Sequence, residues 1–112
     1  MNVWKRTAPN EWPGVYISGP MSGVKDLNRE MFDRAETLLR SLGVENIFNP
    51  ARQDRPESWT WEQHMEADLH ELTSGRYSVL LQLPDCDCSR GAKVEEAVAR
   101  ACGIEVWAVR FL

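Results

Sequence analysis

Strand-like and helix-like patterns alternate along this chain, and that alternation predicts an α/β fold: a flavodoxin- or Rossmann-like three-layer arrangement with a parallel sheet of four to five strands. Short apolar, β-branched runs are separated by longer segments with helical spacing, giving the order β-α-β-α-β-α-β. The connections are too long for hairpins, so successive strands run parallel through right-handed crossovers, with helices on both faces. At 112 residues the chain makes one domain with one core.

Residues 1–13 carry Trp4, Trp12, Pro9 and Pro13 without a clear period. They read as an N-terminal extension, with tryptophans that dock on the body or on a neighbouring subunit, ahead of a domain over 14–112. The first strand covers 15–18 and runs into the loop "SGPMSG". Gly and Pro there either turn the chain or let backbone N–H groups approach an anion. In "LNREMFDRAETLLRSLG", Met31, Phe32, Ala35, Leu38, Leu39 and Leu42 fall at helical spacing, and Gly43 stops the helix. "VENIFNPA" is a short second strand ending at Asn49-Pro50, and "RQDRPES" is a polar loop. Ser58 or Thr60 caps a second helix that runs to about Leu72. "YSVLLQLP" is the third strand, "DCDCSR" the next loop, Gly91 to Cys102 the third helix, and "IEVWAVRF" the last strand.

The net charge of −4 argues against wrapping a nucleic-acid polymer, yet a few local groups can still hold a small phosphorylated ligand. No apolar run approaches membrane-span length and the N-terminus lacks a signal-peptide core, so a cytoplasmic location with no membrane partner is expected. Cys86 and Cys88 are too close for an easy disulfide. Together with Cys102, His64 and His70 they fit no standard zinc spacing, so reduced cysteines and no metal are expected.

In a parallel α/β sheet, ligands collect at the carboxyl ends of the strands, here the loops at 18–23, 49–58 and 84–91. Two carboxylates are placed oddly with respect to that edge. Asp68 projects into the middle of the apolar face formed by Trp61, Met65, Leu69 and Leu72. Either it is functional, or the helix is rotated, or the side chain bonds a nearby backbone N–H. In the third helix the expected buried stripe is Val94, Ala97, Val98, Ala101 and Cys102. Glu95 falls on its flank and Glu96 points to solvent. Glu95 is either a solvated helix-start residue or an anion that the helix N-terminus keeps ionised. Tyr16 is either a packed strand aromatic or a hydroxyl holding that carboxylate. Such a pair suits displacement at an anomeric carbon, one carboxylate attacking while the second acid orients or protonates the leaving base.

"VYISGPMSG", the helix reaching Asp68-Leu69, "SVLLQLP" and "SRGAKVEEAVARACG" resemble the nucleoside 2-deoxyribosyltransferase-like superfamily, above all its small phage and bacterial members. The resemblance implies a flavodoxin-like fold, a homodimer or larger homo-oligomer, and no metal or other cofactor. It makes Glu95, four residues after Gly91, the nucleophile, with Asp68 and Tyr16 as the other catalytic residues. Six residues before the nucleophile, the transferases carry aspartate, whereas the branch that hydrolyses 2′-deoxynucleoside 5′-phosphates has a phosphate-binding serine. This chain has Ser89. Ser18, Gly19, Met21, Ser22 and Gly91 would complete the substrate cradle, although Pro20 offers no N–H. The chain departs from the small members at "DCDC", where they usually carry Gly-Trp. The expected activity is N-glycosidic cleavage of a (deoxy)nucleoside 5′-monophosphate. The alternatives are base exchange on free nucleosides and a non-catalytic nucleotide-binding module.

Overall fold

The computed structural model describes residues 14–85 and 89–110. The expectations for Trp4, Trp12, Cys86 and Cys88 lie outside the described residues. Four strands, β1 (Val15–Ser18), β2 (Ile47–Phe48), β3 (Val79–Gln82) and β4 (Glu105–Ala108), form one sheet in the order β2-β1-β3-β4. All three pairings are parallel, with Tyr16 level with both Phe48 and Leu80. Three helices connect the strands, α1 (Arg29–Ser41), α2 (Trp61–Leu72) and α3 (Arg90–Ala101). This is the three-layer parallel α/β architecture that the alternation predicts.

The strand order reverses direction after β1, so crossovers of one hand put α1 on one face and α2 with α3 on the other. Alternation along β1 follows suit. Val15 and Ile17 join Phe32 and Ala35 of α1 in one apolar cluster, and Tyr16 joins Leu72 of α2 and Ala99 of α3 in the other. The reversal between β1 and β3 is a topological switch point, the place where such sheets leave a crevice.

Local chemistry sets the helix starts. Thr60, rather than Ser58, caps α2 in a full capping box with Gln63. Ser89 caps α3 by accepting from the Ala92 N–H at 3.1 Å, so that helix begins at Arg90, one residue before the expected Gly91. Helix α1 starts at Arg29, two residues ahead of Met31, the first of its apolar series. A 3-10 turn at Lys25–Asn28 precedes it, with Asp26, Leu27 and Asn28 all at positive φ. The second strand shrinks to two residues because Asn49 takes the Ala51 N–H and starts a 3-10 turn at Pro50.

The apolar stripe of α3 has a different phase from the expected one. Ala92, Glu95 and Ala99 are buried, whereas Ala97, Ala101 and Cys102 are exposed. Glu95 therefore sits at the centre of the packed face and not on its flank. Alanine is small enough to be left outside at little cost, so a hydrophobicity pattern rich in alanine fixes the phase poorly. Glu96 is half-buried and accepts from Gln82 and Arg100, where the helical phase predicts full exposure. On β4, Trp107 is 41% exposed. Among the described residues no helix is long and apolar enough to cross a membrane.

Gly19 lies where β1 leaves the sheet. A Cβ there would meet the Leu83 Cβ and Cδ1 at 2.9 Å, and the Leu83 N–H donates to the Ser18 carbonyl at 2.8 Å. The backbone of the loop thus rests directly on the end of β3. Gly19→Ala is expected to lose about 1–3 kcal/mol of stability in urea denaturation. Unchanged stability would show that the loop has room to shift.

Candidate active site

Tyr16 and Ser18 are successive same-face residues of β1, and both are fully buried at 0% exposure. The Tyr16 ring is fixed by Phe48, stacked at 4.9 Å between centroids, and by the edge of Tyr77 at 5.9 Å. So held, its hydroxyl donates to Glu95 Oε2, and the Ser18 hydroxyl donates to Glu95 Oε1 at 2.8 Å. Glu95 is 5% exposed and reaches this position from the second turn of α3.

Burial pushes the Glu95 carboxyl up from 4.5 to about 7, against the opposing pull of the Tyr16 and Ser18 hydrogen bonds. The nearby Asp68 charge raises it further, and Arg55 lowers it. The expectation that a helix N-terminus keeps Glu95 ionised therefore gives way. A dipole effect fades within the first turn of a helix, whereas desolvation acts in full on a buried carboxylate. Burial also raises the Tyr16 hydroxyl well above its ordinary range, with the Glu95 charge adding to it, so the tyrosine stays a neutral donor.

Asp68 is 8% exposed on the packed face of α2, where the sequence places it. Its partner is a side chain that the sequence shows only as one member of a polar loop. The Arg55 guanidinium donates to Asp68 Oδ1 at 2.7 Å and to His64 Nδ1 at 3.3 Å. It also lies 5.6 Å from the centroid of the Trp59 ring. Burial raises the Asp68 carboxyl and the Arg55 contact works against that rise. A carboxylate in an apolar stripe calls for a cation and the 49–58 loop reaches the same edge, but the sequence does not choose between Arg52 and Arg55.

The remaining expected residues separate. Gly91 lets the first turn of α3 close on α2, since a Cβ there would stand 3.1 Å from Met65 Sδ. Ser89 is the α3 cap, and accepting a hydrogen bond there does not use its own O–H proton. Met21 packs on the α1-side cluster, Ser22 is exposed, and the Ser18 hydroxyl is engaged with Glu95. The structure thus brings together Tyr16, Ser18, Asp68 and Glu95, with Arg55 added, and leaves the loop beyond Gly19 to one side. Among the described residues no group of three or more His, Cys, Asp or Glu is placed to hold a metal ion, and Cys102 is free and exposed.

Fold and site together define a class: a parallel α/β domain with two buried carboxylates at the topological switch point of its sheet. The chain belongs to the family described as Domain of unknown function (DUF4406), which matches residues 13–108. No curated protein and no solved structure matches it.

Because the folded Glu95 titrates near 7 rather than 4.5, its contribution to stability is fully present below the unfolded value and is lost as pH rises through 7. Above that range the buried carboxylate costs about 3 kcal/mol. Glu95→Gln should therefore gain stability over the wild type progressively between pH 5 and pH 8. Denaturant titrations showing a pH-independent difference would overturn this account.

Proposed function

We propose that the protein cleaves the N-glycosidic bond of a (deoxy)nucleoside 5′-monophosphate, with Glu95 as nucleophile. A Glu95 oxygen bonds to the anomeric carbon as the bond from that carbon to the base breaks. The electron pair leaves on the base nitrogen, which takes up a proton. Water then opens the glycosyl ester and restores the carboxylate. Tyr16 and Ser18 fix the two oxygens of the nucleophile, and Asp68, anchored by Arg55, orients the base or passes it a proton. The Ser89 hydroxyl, whose proton the α3 cap does not use, donates to the phosphate.

One observation carries the reading. Asp68 is neutralised by an arginine, as buried carboxylates ordinarily are, whereas the partners of Glu95 among the described residues are two neutral hydroxyls. A carboxylate kept inside without a bonded cation is costly for structure and well suited to attack an electrophilic carbon. The proposal needs no metal or cofactor and includes a cytoplasmic location. It also includes self-association as a homodimer or larger homo-oligomer.

A panel of nucleosides and nucleotides, followed by chromatography for free base, tests the reading. Glu95→Ala should lose about a thousand-fold or more in kcat/KM, while Glu96→Ala, turned about 100° away on the same helix, should stay within about threefold. The acidic limb of the pH profile should rise through about 7 as Glu95 loses its proton. Equal losses at the two glutamates, or no base released from any member of the panel, would defeat the proposal. Release that depends on an added acceptor base would favour the transferase.

A further inference from the structure

The Ser18 hydroxyl is engaged with Glu95, and Pro20 offers no N–H, so the loop after β1 has fewer donors for a phosphate than its sequence suggests. A phosphate dianion next to two carboxylates also requires a cation. Arg55 already serves Asp68. Apart from Arg110, every other described arginine but one is likewise ion-paired to a carboxylate. The exception is Arg90.

Arg90 is the first residue of α3, next to the Ser89 cap. Its guanidinium carbon lies 4.0 Å from the centroid of the Trp61 ring, which opens α2. An aromatic face steadies a guanidinium without consuming its N–H donors, so the planar fork stays available to an anion. Gly91 contributes by letting the two helix starts close up, since a Cβ there would reach Met65 Sδ at 3.1 Å and Trp61 Nε1 at 3.9 Å. Arg90 stands five positions before Glu95, about 7.5 Å along the helix axis and about 140° around it, so a ligand that meets both must extend from the packed face past the start of α3. That length is comparable to the span of a ribose 5-phosphate from its anomeric carbon to its phosphate.

We propose that Arg90, held against Trp61, is the residue that reads the substrate's 5′-phosphate, with Ser89 as a second donor. This inference rests on the nucleotide reading above, and its test separates the two. Ribose 5-phosphate and ribose are titrated calorimetrically into the wild type, Arg90→Gln, Arg90→Lys and Lys93→Gln. For each, kcat/KM is measured on a 5′-monophosphate and on its nucleoside. The wild type should bind ribose 5-phosphate more tightly than ribose. Arg90→Gln should cut both that preference and the monophosphate-to-nucleoside ratio of kcat/KM by about 10- to 100-fold. Arg90→Lys keeps the charge without the fork and should fall between. Replacing Lys93, exposed one turn further along α3, removes the same charge, and this variant should stay within about threefold on both measures.

If Arg90→Gln behaves like Lys93→Gln, or the wild type does not prefer ribose 5-phosphate, the inference is wrong. If no nucleotide is turned over but ribose 5-phosphate binding still requires Arg90, the phosphate assignment holds and only the catalytic reading falls. Turnover with a phosphate preference that ignores Arg90 overturns the assignment and leaves the catalytic reading standing.

Discussion

Glu95 keeps a carboxylate inside the protein with two hydroxyls in place of water, and the surrounding elements can be understood as serving that constraint. Tyr16 must present its O–H at one height and Ser18 must present its own two residues on, a spacing that only a strand supplies on one face. The stack of Phe48 and the edge of Tyr77 stop the Tyr16 ring from turning away. The short β2 is in the sheet partly for this, since Phe48 pairs in register with Tyr16. On the helix side, α3 must bring a glutamate rather than an apolar residue to the centre of its packed face. Small neighbours, Ala92 and Ala99, let it come close enough to the sheet.

Two carboxylates in one crevice would repel each other and both resist ionisation if left alone. The site resolves this by treating them differently. Asp68 receives a cation, and Arg55 is fixed in turn by His64 and the Trp59 ring. Glu95 receives only neutral donors and feels Arg55 at longer range. The outcome is an asymmetric pair, with one carboxylate anchored and the other held near the midpoint of its titration at neutral pH. That asymmetry comes from tertiary contacts, since Arg55, Tyr16 and Ser18 all reach the two carboxylates from other elements of the chain.

The framework that carries this pair is ordinary in its physics. Parallel pairing with helices on both sides buries nearly all of β1 and β3, and the core divides cleanly between the two faces of the sheet. The helix ends nearest the crevice are capped by side chains, Thr60 and Ser89, so the first turns of α2 and α3 are firmly placed. Less regular features collect in the connection from β1 to α1. There the backbone enters the left-handed region for three residues that are not glycine.

The amino-acid sequence by itself determined the order of elements and the edge on which the site lies, and it singled out Asp68, Glu95 and Tyr16. Periodicity and glycine stops are local signals, and alternating strands and helices leave few ways to build a sheet. Asp68 was legible because its neighbours Trp61, Met65 and Leu72 are large, and a charge among large apolar residues stands out. The phase of α3 was not legible, because alanine carries too little hydrophobic weight to say which way it faces. The left-handed turn before α1 had no glycine to announce it. Arg55 was hidden for a different reason: a polar loop has no period, so only the folded chain shows which of its side chains turns inward. The same holds for the state of Glu95. A sequence can place a carboxylate at a helix start, but its protonation depends on how much water the finished fold removes and which groups replace it, and those contacts exist only once β1, α2 and α3 have met.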